Sequence, residues 1–351
     1  MKKTQCTCLS DFLKMISISQ EDQIAFCEEI RPKNETDSIG IQRFFEDTTH
    51  SKYKIKDSII WDSIRLHTRA LYAHMLHQIH SDSSSHTHRY FYRGQADVDY
   101  RDRLAPGIYR SSEQHCENYY FNEMQVRCPG TLAGLKTINK LTYMQHYGCP
   151  TRLLDITANP LVALYFACCE CNTFNDAKDG VVFIFGVKED DVLYEQSDRV
   201  QMLSKLAEFK KEDQAQLLMQ SYINLMKGSF NNPSGRKYAD RTVERFYHAI
   251  KRDNGAFERE IIPFDLLRPL FVQTNKDNPR ILKQDGAFII CGLDMNEADS
   301  NYKLKKQVVK EITIPASVKK KILSELEQLC VSQATLFPEV DKVADYLKHK
   351  I

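Results

Sequence analysis

The stretch NPLVALYFAC, residues 159–168, is apolar on every side when it is drawn as a helix. A proline stands in its first turn, where a helix does not need the missing N–H. A helix without a polar face has to be covered all round by other elements, so this stretch is expected at the centre of a domain. The elements that cover it define the fold class.

Strand-like segments lie on both sides of this helix. RYFYRG, residues 89–94, and VVFIF, residues 181–185, are short and rich in aromatic and β-branched residues, which is typical of strands. The same composition returns at residues 286–291 and 308–314. We therefore predict an α+β fold, in which a mixed sheet is packed with buried helices.

The serine-rich stretch SDSSSHTH, residues 81–88, is typical of a solvated loop. It predicts a boundary between an N-terminal helical extension, residues 1–87, and a main domain, residues 88–347. Apolar residues at helical spacing predict one amphipathic helix over residues 58–80 of the extension. The same spacing predicts a helical insertion in the main domain, at about residues 189–250.

Composition restricts the function classes only weakly. The 351 residues carry 48 Lys and Arg against 47 Asp and Glu, so the net charge of +1 gives no general affinity for nucleic acids or membranes. A local basic and aromatic cluster at residues 100–127 leaves nucleic-acid binding open. The N-terminus shows no signal-peptide pattern, and no stretch reaches the ~20 apolar residues that span a bilayer. We expect a cytoplasmic protein without a membrane contact, and its oligomeric state is open.

Histidines and cysteines do not form a recognisable metal site. His67, His74 and His77 fall on one side of the predicted helix at 58–80, but no Asp, Glu or Cys completes a ligand spacing. We interpret them as a polar flank and predict no metal. The odd number of cysteines, 11, argues against a complete disulfide framework, so reduced thiols are expected.

The segment YRGQ, residues 92–95, places a guanidinium at the end of an otherwise apolar strand. An inward-facing Arg93 has to be paired, and arginine is well suited to bidentate recognition of phosphate or carboxylate. Ligand binding and a structural Arg–Asp pair therefore both remain open. Gly94 allows a ligand or a backbone to approach closely.

The segment QHYGCPTRLLDIT, residues 145–157, supplies further reactive side chains. His146 is either a general acid or base or a core histidine. Arg152 either pairs with Asp155 or reaches a phosphate. Asp155 is placed to cap the following helix, whose N-terminal amides are also able to hold an anion.

Together these segments resemble the FRG domain, a bacterial and phage family named after its (Phe/Tyr)-Arg-Gly motif. PRILKQDGAF, residues 279–288, resembles the family's Arg…Gln-x-Gly-x-Phe stretch, and residues 314–315 and 336–338 resemble its usual ending. The matches run from about residue 88 to 347, nearly three quarters of the chain. Ile156 departs from the Trp that the family usually has. The family's association with mobile elements and antiphage loci implies a toxin or antiphage effector.

Tyr-Arg-Gly at a strand end also resembles the first motif of Arg-Ser-Glu-type ADP-ribosyltransferases. That resemblance implies that Arg93 holds the phosphates of NAD, that residues 151–157 line the nicotinamide pocket, and that a late Glu performs the chemistry. Breaking the nicotinamide–ribose bond builds positive charge on the sugar, which a fixed carboxylate stabilises. Glu258 and Glu260 lie on one side of the chain if it is extended, although a solvated charge cluster remains the alternative.

We therefore hypothesise an FRG-domain protein with an ADP-ribosyltransferase-like core that binds a phosphate-bearing nucleotide and cleaves or transfers ADP-ribose. NAD is expected as a substrate, and no resident cofactor is predicted. The partner is a nucleotide or a protein target; a non-enzymatic sensor and a nucleic-acid-binding protein remain alternatives. The predicted catalytic residues are Glu258, Glu260 and His146, and the predicted ligand-binding residues are Tyr92, Arg93, Gly94, Gln95, Thr151, Arg152, Asp155 and Gln284.

Overall fold

The computed structural model describes residues 4–19, 88–99, 104–110, 116–169, 178–226, 241–258, 261–294 and 296–349, with the single positions 21, 22, 25, 26, 69, 72 and 76. The predicted helix at 58–80 lies outside these ranges except for Arg69, Tyr72 and Leu76, which are helical. Glu260 and the histidines of that helix also lie outside the described residues.

Strands of the described residues form one mixed sheet, and the predicted α+β class is confirmed. The sheet order is β1-β8-β4-β2-β3-β7-β6-β5. Neighbours are antiparallel except for β1 beside β8 and β5 beside β6, which are parallel. The strands are β1 (Thr4–Gln5), β2 (His88–Gln95), β3 (Leu153–Thr157), β4 (Gly180–Lys188), β5 (Val192–Tyr194), β6 (Leu270–Gln273), β7 (Gly286–Ile290) and β8 (Val308–Ile314).

Helices connect the strands and cover the sheet. Within the described ranges, no helix is long and apolar enough to cross a bilayer. The helices are α1 (Leu9–Met15), α2 (Glu117–Arg127), α3 (Pro129–Leu132), α4 (Thr137–His146), α5 (Pro160–Cys168), α6 (Asp198–Lys205), α7 (Lys211–Met226), α8 (Arg241–Asp253), α9 (Pro263–Leu267), α10 (Pro279–Lys283), α11 (Glu297–Lys305), α12 (Ala316–Gln328), α13 (Gln333–Leu336) and α14 (Val340–His349).

The two faces of the sheet carry different apolar clusters, because side chains alternate along each strand. One face bears two clusters: Val182 and Ile184 lie under α5 and α12, and Phe288 lies under α4 and its neighbours. The opposite face bears a third cluster that includes Phe91 and Phe183. Strand β4 lies between β8 and β2, and both of its faces are buried because its side chains alternate between the clusters on the two faces of the sheet.

Helix α5 approaches the sheet backbone to backbone. A Cβ atom placed on Gly94 would lie 1.8 Å from the carbonyl oxygen of Ala163, and one on Gly180 would lie 2.1 Å from that of Ala167. Distances below about 3 Å are not tolerated, so these two positions require glycine because of the helix. Of the two predicted reasons for Gly94, close approach by backbone is therefore the one that the fold shows.

Four short strands, β1, β3, β5 and β6, were not predicted. The segment with Asp155 forms β3, and β6 lies in a stretch without a strand pattern. The predicted helical insertion at about 189–250 contains β5, which pairs with β6, before its helices α6, α7 and α8 begin. Strands of two to five residues are too short to show a clear period of two.

Described residues before residue 87 contact the same core as the rest of the chain. Strand β1 extends the sheet beside β8, and Phe12 of α1 belongs to the cluster under α5. Tyr72 is buried, and its hydroxyl donates to the carbonyl of Lys303 at 3.2 Å. The boundary between an extension of residues 1–87 and a domain of residues 88–347 stays a prediction.

We expect Gly94→Ala to lower the free energy of unfolding by at least about 1–3 kcal/mol, because the new methyl group displaces α5 from β2. The matched control is Gly255→Ala, since Gly255 is exposed and has no heavy atom within 4 Å of an added Cβ. Urea unfolding followed by circular dichroism measures both variants. Equal stability of the two variants would contradict the close contact.

Candidate functional site

A cleft of about 230 Å³ opens on the helical face of the sheet, between the two apolar clusters of that face. Strands β2, β3 and β7 form its floor, and α4, α5 and α10 form its walls. The residues that line it are Tyr92, Arg93, Gly94, Thr142, Gln145, His146, Asp155, Ile156, Thr157, Val162, Phe166, Arg280, Ile281, Gln284, Gly286, Ala287 and Phe288.

The floor of the cleft is the weakest junction in the sheet. Strands β2 and β3 share a single ladder pair, Tyr92 with Thr157, whereas β2 and β4 are paired along their whole length. Beyond that pair, the Arg93 side chain reaches from β2 to β3. Its Nη1 donates to the main-chain carbonyl oxygen of Asp155 at 2.6 Å. A guanidinium thus bonds a strand carbonyl where the ladder stops.

Arg93 retains unused hydrogen-bonding capacity. Its Nε is buried and has no hydrogen-bond partner among the described residues. Burial lowers the pKa of Arg93 to about 10, an effect that nearby Asp155 opposes and Arg110 reinforces. Arg93 forms no ion pair with any carboxylate of the described residues. At neutral pH the guanidinium therefore remains charged and incompletely neutralised.

A second arginine lies in the wall of the cleft. Arg280 belongs to α10 and lines the cleft, with its guanidinium carbon 4.6 Å from the centre of the Phe337 ring. It too makes no ion pair in the part of the chain that the structure describes. Two arginines facing one cleft favour an anionic ligand over a cationic or neutral one.

Asp155 provides a carboxylate in the floor. Leu154 and Ile156 of β3 belong to the cluster on the far face, so Asp155 between them points to the cleft, where it is exposed. Asp155 does not cap the following helix as predicted. Asn159 caps α5 instead, its side chain accepting from the N–H of Leu161 at 2.9 Å.

His146 is the last residue of α4 and lines the cleft. Its Nε2 lies 3.7 Å from Oε1 of Glu339, and its side chain is 13% exposed. Burial and the charge of Arg280 lower the pKa of His146, whereas Glu339 and Asp155 oppose the shift. The imidazole is therefore mainly neutral near pH 7, as a general base requires.

Gln284 joins the cleft to the C-terminal part of the chain. Its main-chain carbonyl accepts from the Thr157 hydroxyl at 2.6 Å, and its side-chain amide donates to the carbonyl of Leu336 at 3.0 Å. Both the end of β3 and helix α13 are thereby attached to one residue of the wall. Gln284 was predicted for substrate orientation, and the structure shows that its Nε2 already has a protein acceptor.

Arg152 lies away from the cleft and is only 1% exposed. Its Nε and Nη2 donate to Oε2 of Glu117, at 2.7 and 2.6 Å, and Glu117 Oε1 accepts from the Arg152 N–H at 2.7 Å. The predicted pairing with Asp155 is wrong, since the partner is Glu117 of α2. This geometry leaves the Arg152 guanidinium no open path to a ligand in the cleft.

Other predicted site residues also lie apart from the cleft. Glu258 is exposed beyond the end of α8 and does not line the cleft, and Glu260 is outside the described ranges. Thr151 is buried and donates its hydroxyl to Oε1 of Gln145. Gln95 is not in the lining, and its Oε1 is buried without a hydrogen-bond partner within the described ranges. Their functional roles stay predictions.

Two site residues were missed by sequence reasoning. Arg280 and Glu339 come from separate C-terminal segments, and only the fold brings them to residues of the first half of the chain. The PRILKQDGAF stretch had marked Arg280 as part of a family pattern without assigning it to the site. Nothing in the local sequence distinguishes Glu339 from other acidic residues.

Cysteine and metal chemistry have little support in the described part of the chain. No group of three or more His, Cys, Asp or Glu among the described residues is placed to hold a metal ion. Cys168 is buried in α5, and burial raises the pKa of its thiol to about 12. Its thiol therefore stays protonated and weakly reactive.

Comparison with known families supports the resemblance to the FRG domain over the first part of the predicted range. The family model of the FRG domain matches residues 88–176, so this chain is an FRG-domain-containing protein. No curated protein and no solved structure matches the chain. The matched region includes Arg93, His146 and Asp155, whereas Arg280 and Glu339 lie beyond it. The ADP-ribosyltransferase-like core stays a prediction.

We expect Glu117→Gln to lower the free energy of unfolding by about 3–5 kcal/mol, because it leaves the Arg152 guanidinium buried without its countercharge. Glu123→Gln is the control on the same helix. Glu123 forms an i,i+4 ion pair with the exposed Arg127 at 2.9 Å, and such a surface pair contributes about 0.5 kcal/mol or less to stability. Urea titrations compare the two. A loss below 1 kcal/mol for Glu117→Gln would mean that the pair is not a buried unit.

Proposed function

We propose that the cleft binds a phosphate-bearing nucleotide, with NAD as the substrate, and that the protein cleaves the nicotinamide–ribose bond or transfers the ADP-ribose. The observation that carries this proposal is the Arg93 guanidinium, which is charged, has a buried unpartnered Nε and makes no ion pair with the described residues. A buried polar group without a partner costs about 1–3 kcal/mol, which a ligand acceptor would recover.

Phosphate is the ligand group that best fits the two arginines. Guanidinium groups bind phosphate oxygens in a bidentate manner, and both Arg93 and Arg280 line the cleft. An adjacent pair of phosphates, as in a dinucleotide, offers both arginines an acceptor. The aromatic rings of Tyr92, Phe166 and Phe288 in the lining supply apolar surface for a base or nicotinamide ring.

Asp155 takes the role of the carboxylate in this proposal. The reaction places positive charge on the ribose, and a fixed carboxylate beside it lowers the barrier. Asp155 lines the cleft, whereas Glu258, the described member of the predicted pair, does not. We therefore propose Asp155 in place of Glu258 and Glu260.

The packing of the aromatic residues at 100–127 argues against the nucleic-acid alternative. Tyr109 donates its hydroxyl to the carbonyl of Gly292 at 2.8 Å, and Tyr120 packs against the largest apolar cluster. These side chains are not free to stack on bases. Arg127 is paired with Glu123.

The test is nucleotide binding by native protein and by Arg93→Gln, measured by calorimetry with NAD, ADP-ribose and AMP. We expect Arg93→Gln to weaken binding roughly 10–100-fold, since hydrogen bonds to a charged group are worth about 1.5–3 kcal/mol. Arg89→Gln is the matched control, because Arg89 lies on the same strand, pairs with Glu189 at 3.4 Å and does not line the cleft.

Free nicotinamide, measured by chromatography with and without cell lysate, separates an enzyme from a binding module. Release that Arg93→Gln abolishes supports the enzyme. Arg93-dependent binding without release leaves a nucleotide sensor, and no binding by the native protein overturns the proposal. The proposed cellular role is that of a toxin or antiphage effector, in which case expression of the native protein slows bacterial growth and expression of Arg93→Gln does not.

A further inference from the structure

We propose that His146 is the general base of the cleft and that Glu339 is its positioning residue. The inference rests on the proposed function, which supplies the reaction. It assigns a role to a C-terminal carboxylate that lies outside the matched FRG region, and it specifies how a water molecule is activated for hydrolysis.

The two groups meet at the edge of the cleft. His146 Nε2 and Glu339 Oε1 are 3.7 Å apart, with the side chains 13% and 32% exposed. This distance is longer than a hydrogen bond, and such pairs often tighten only when substrate is bound. The second oxygen of Glu339, Oε2, is buried, and no group in the described part of the chain forms a hydrogen bond with it. The carboxylate therefore faces the imidazole with its capacity to accept hydrogen bonds unfilled.

The segment that carries Glu339 is fixed to the cleft wall on several sides. The Gln284 amide donates to the carbonyl of Leu336 at 3.0 Å. The ring of Phe337 lies 5.9 Å from that of Phe166, edge to face, and it also lies against the Arg280 guanidinium. Three residues of the cleft lining thus contact Leu336 and Phe337, which lie three and two residues before Glu339. A supporting shell of this kind is what a positioned carboxylate requires.

The groups around the ring shift its pKa in opposite directions. Burial and Arg280 of α10 lower the pKa of His146, while Glu339 before α14 and Asp155 of β3 raise it, and the net shift is downward. The ring of Tyr147, the next residue in the chain, lies nearly perpendicular to the His146 imidazole, with 4.8 Å between the ring centroids. Near pH 7 the imidazole is mainly neutral and able to accept a proton. Glu339 then stabilises the imidazolium that forms, as a carboxylate does for a histidine base in general.

The reaction balances without any further reactant. A water oxygen attacks C1′ of the ribose, and its proton passes to the imidazole of His146. The bond between C1′ and the pyridinium nitrogen breaks, and its electron pair returns to the ring, which leaves as neutral nicotinamide. The product in the cleft is ADP-ribose, and the imidazolium later releases its proton to solvent.

The experiment compares native protein, Glu339→Gln and Asp341→Asn. Asp341 lies two residues further on, is 72% exposed, and its removal controls for the loss of one negative charge on the same segment. The first readout is the His146 pKa, followed by NMR of the imidazole C–H groups and assigned with His146→Gln. We expect Glu339→Gln to lower this pKa and Asp341→Asn to leave it nearly unchanged.

The second readout is the pH profile of nicotinamide release, together with the Kd for ADP-ribose. The native rate rises as the imidazole loses its proton and then reaches a plateau. In Glu339→Gln we expect the rising limb to move to lower pH and the plateau to fall about tenfold or more, because general-base catalysis contributes roughly 10²–10⁴-fold. The Kd is expected to stay within about twofold, and thermal melting checks that the variant is folded.

The outcomes separate this inference from the proposed function. If native protein binds ADP-ribose and releases nicotinamide, but Glu339→Gln has the native pH profile and plateau, the His146–Glu339 pair is overturned and the proposed function stands. If the native protein binds no nucleotide, both are overturned. A fall in kcat together with an equal change in the Kd would assign Glu339 to binding and contradict a positioning role.

Discussion

Helix α5 rests on two glycines, and much of the molecule depends on that contact. Because neither Gly94 nor Gly180 has a side chain, the helix backbone lies directly on β2 and β4. The helix is apolar all round and has no other stable location in water. Its position sets where β3 ends, since the Asn159 cap follows β3 by two residues, and it places Phe166 in the wall of the cleft.

The buried Arg152 and the half-buried Arg93 have opposite environments in this fold. Arg152 is fully compensated by Glu117, so it contributes to a unique arrangement of α2 and β3 and is unavailable to a ligand. Arg93 contacts a main-chain carbonyl and retains a charge that the described residues do not neutralise. The charge of one guanidinium is therefore neutralised inside the fold, whereas the charge of the other is not neutralised by the described residues. From sequence alone, both positions had the same two interpretations.

What the sequence predicts well is set by local patterns. The apolar helix at 159–168, strands at 89–94 and 181–185, and the C-terminal helices follow from periodicity and caps, and the structure confirms them. Short strands such as β5 carry no readable period. Within the FRG motifs, Arg93, His146 and Asp155 line one cleft because they lie on adjacent elements, whereas Arg152 does not, and the functional roles predicted for them stay predictions.

Long-range pairings could not be predicted in the same way. Arg152 meets a carboxylate 35 residues earlier, and His146 meets one near the C-terminus, so neither partner is marked by spacing. Glu258 was proposed on the chemistry that a catalytic carboxylate must perform, which specifies a residue type but no position. Several acidic residues satisfy that requirement, and only the course of the backbone selects Asp155 for the cleft.

The single ladder pair between β2 and β3 divides the sheet into two halves, β1-β8-β4-β2 and β3-β7-β6-β5. Arg93 belongs to the first half, and Asp155 and Phe288 belong to the second, so a ligand that fills the cleft would contact both halves. Such a ligand would connect the two halves across the junction. By mass action it would add about 2.7 kcal/mol to the folded state at a concentration of one hundred times its Kd. Binding at this site would therefore also stabilise the sheet at the junction where its ladder is shortest.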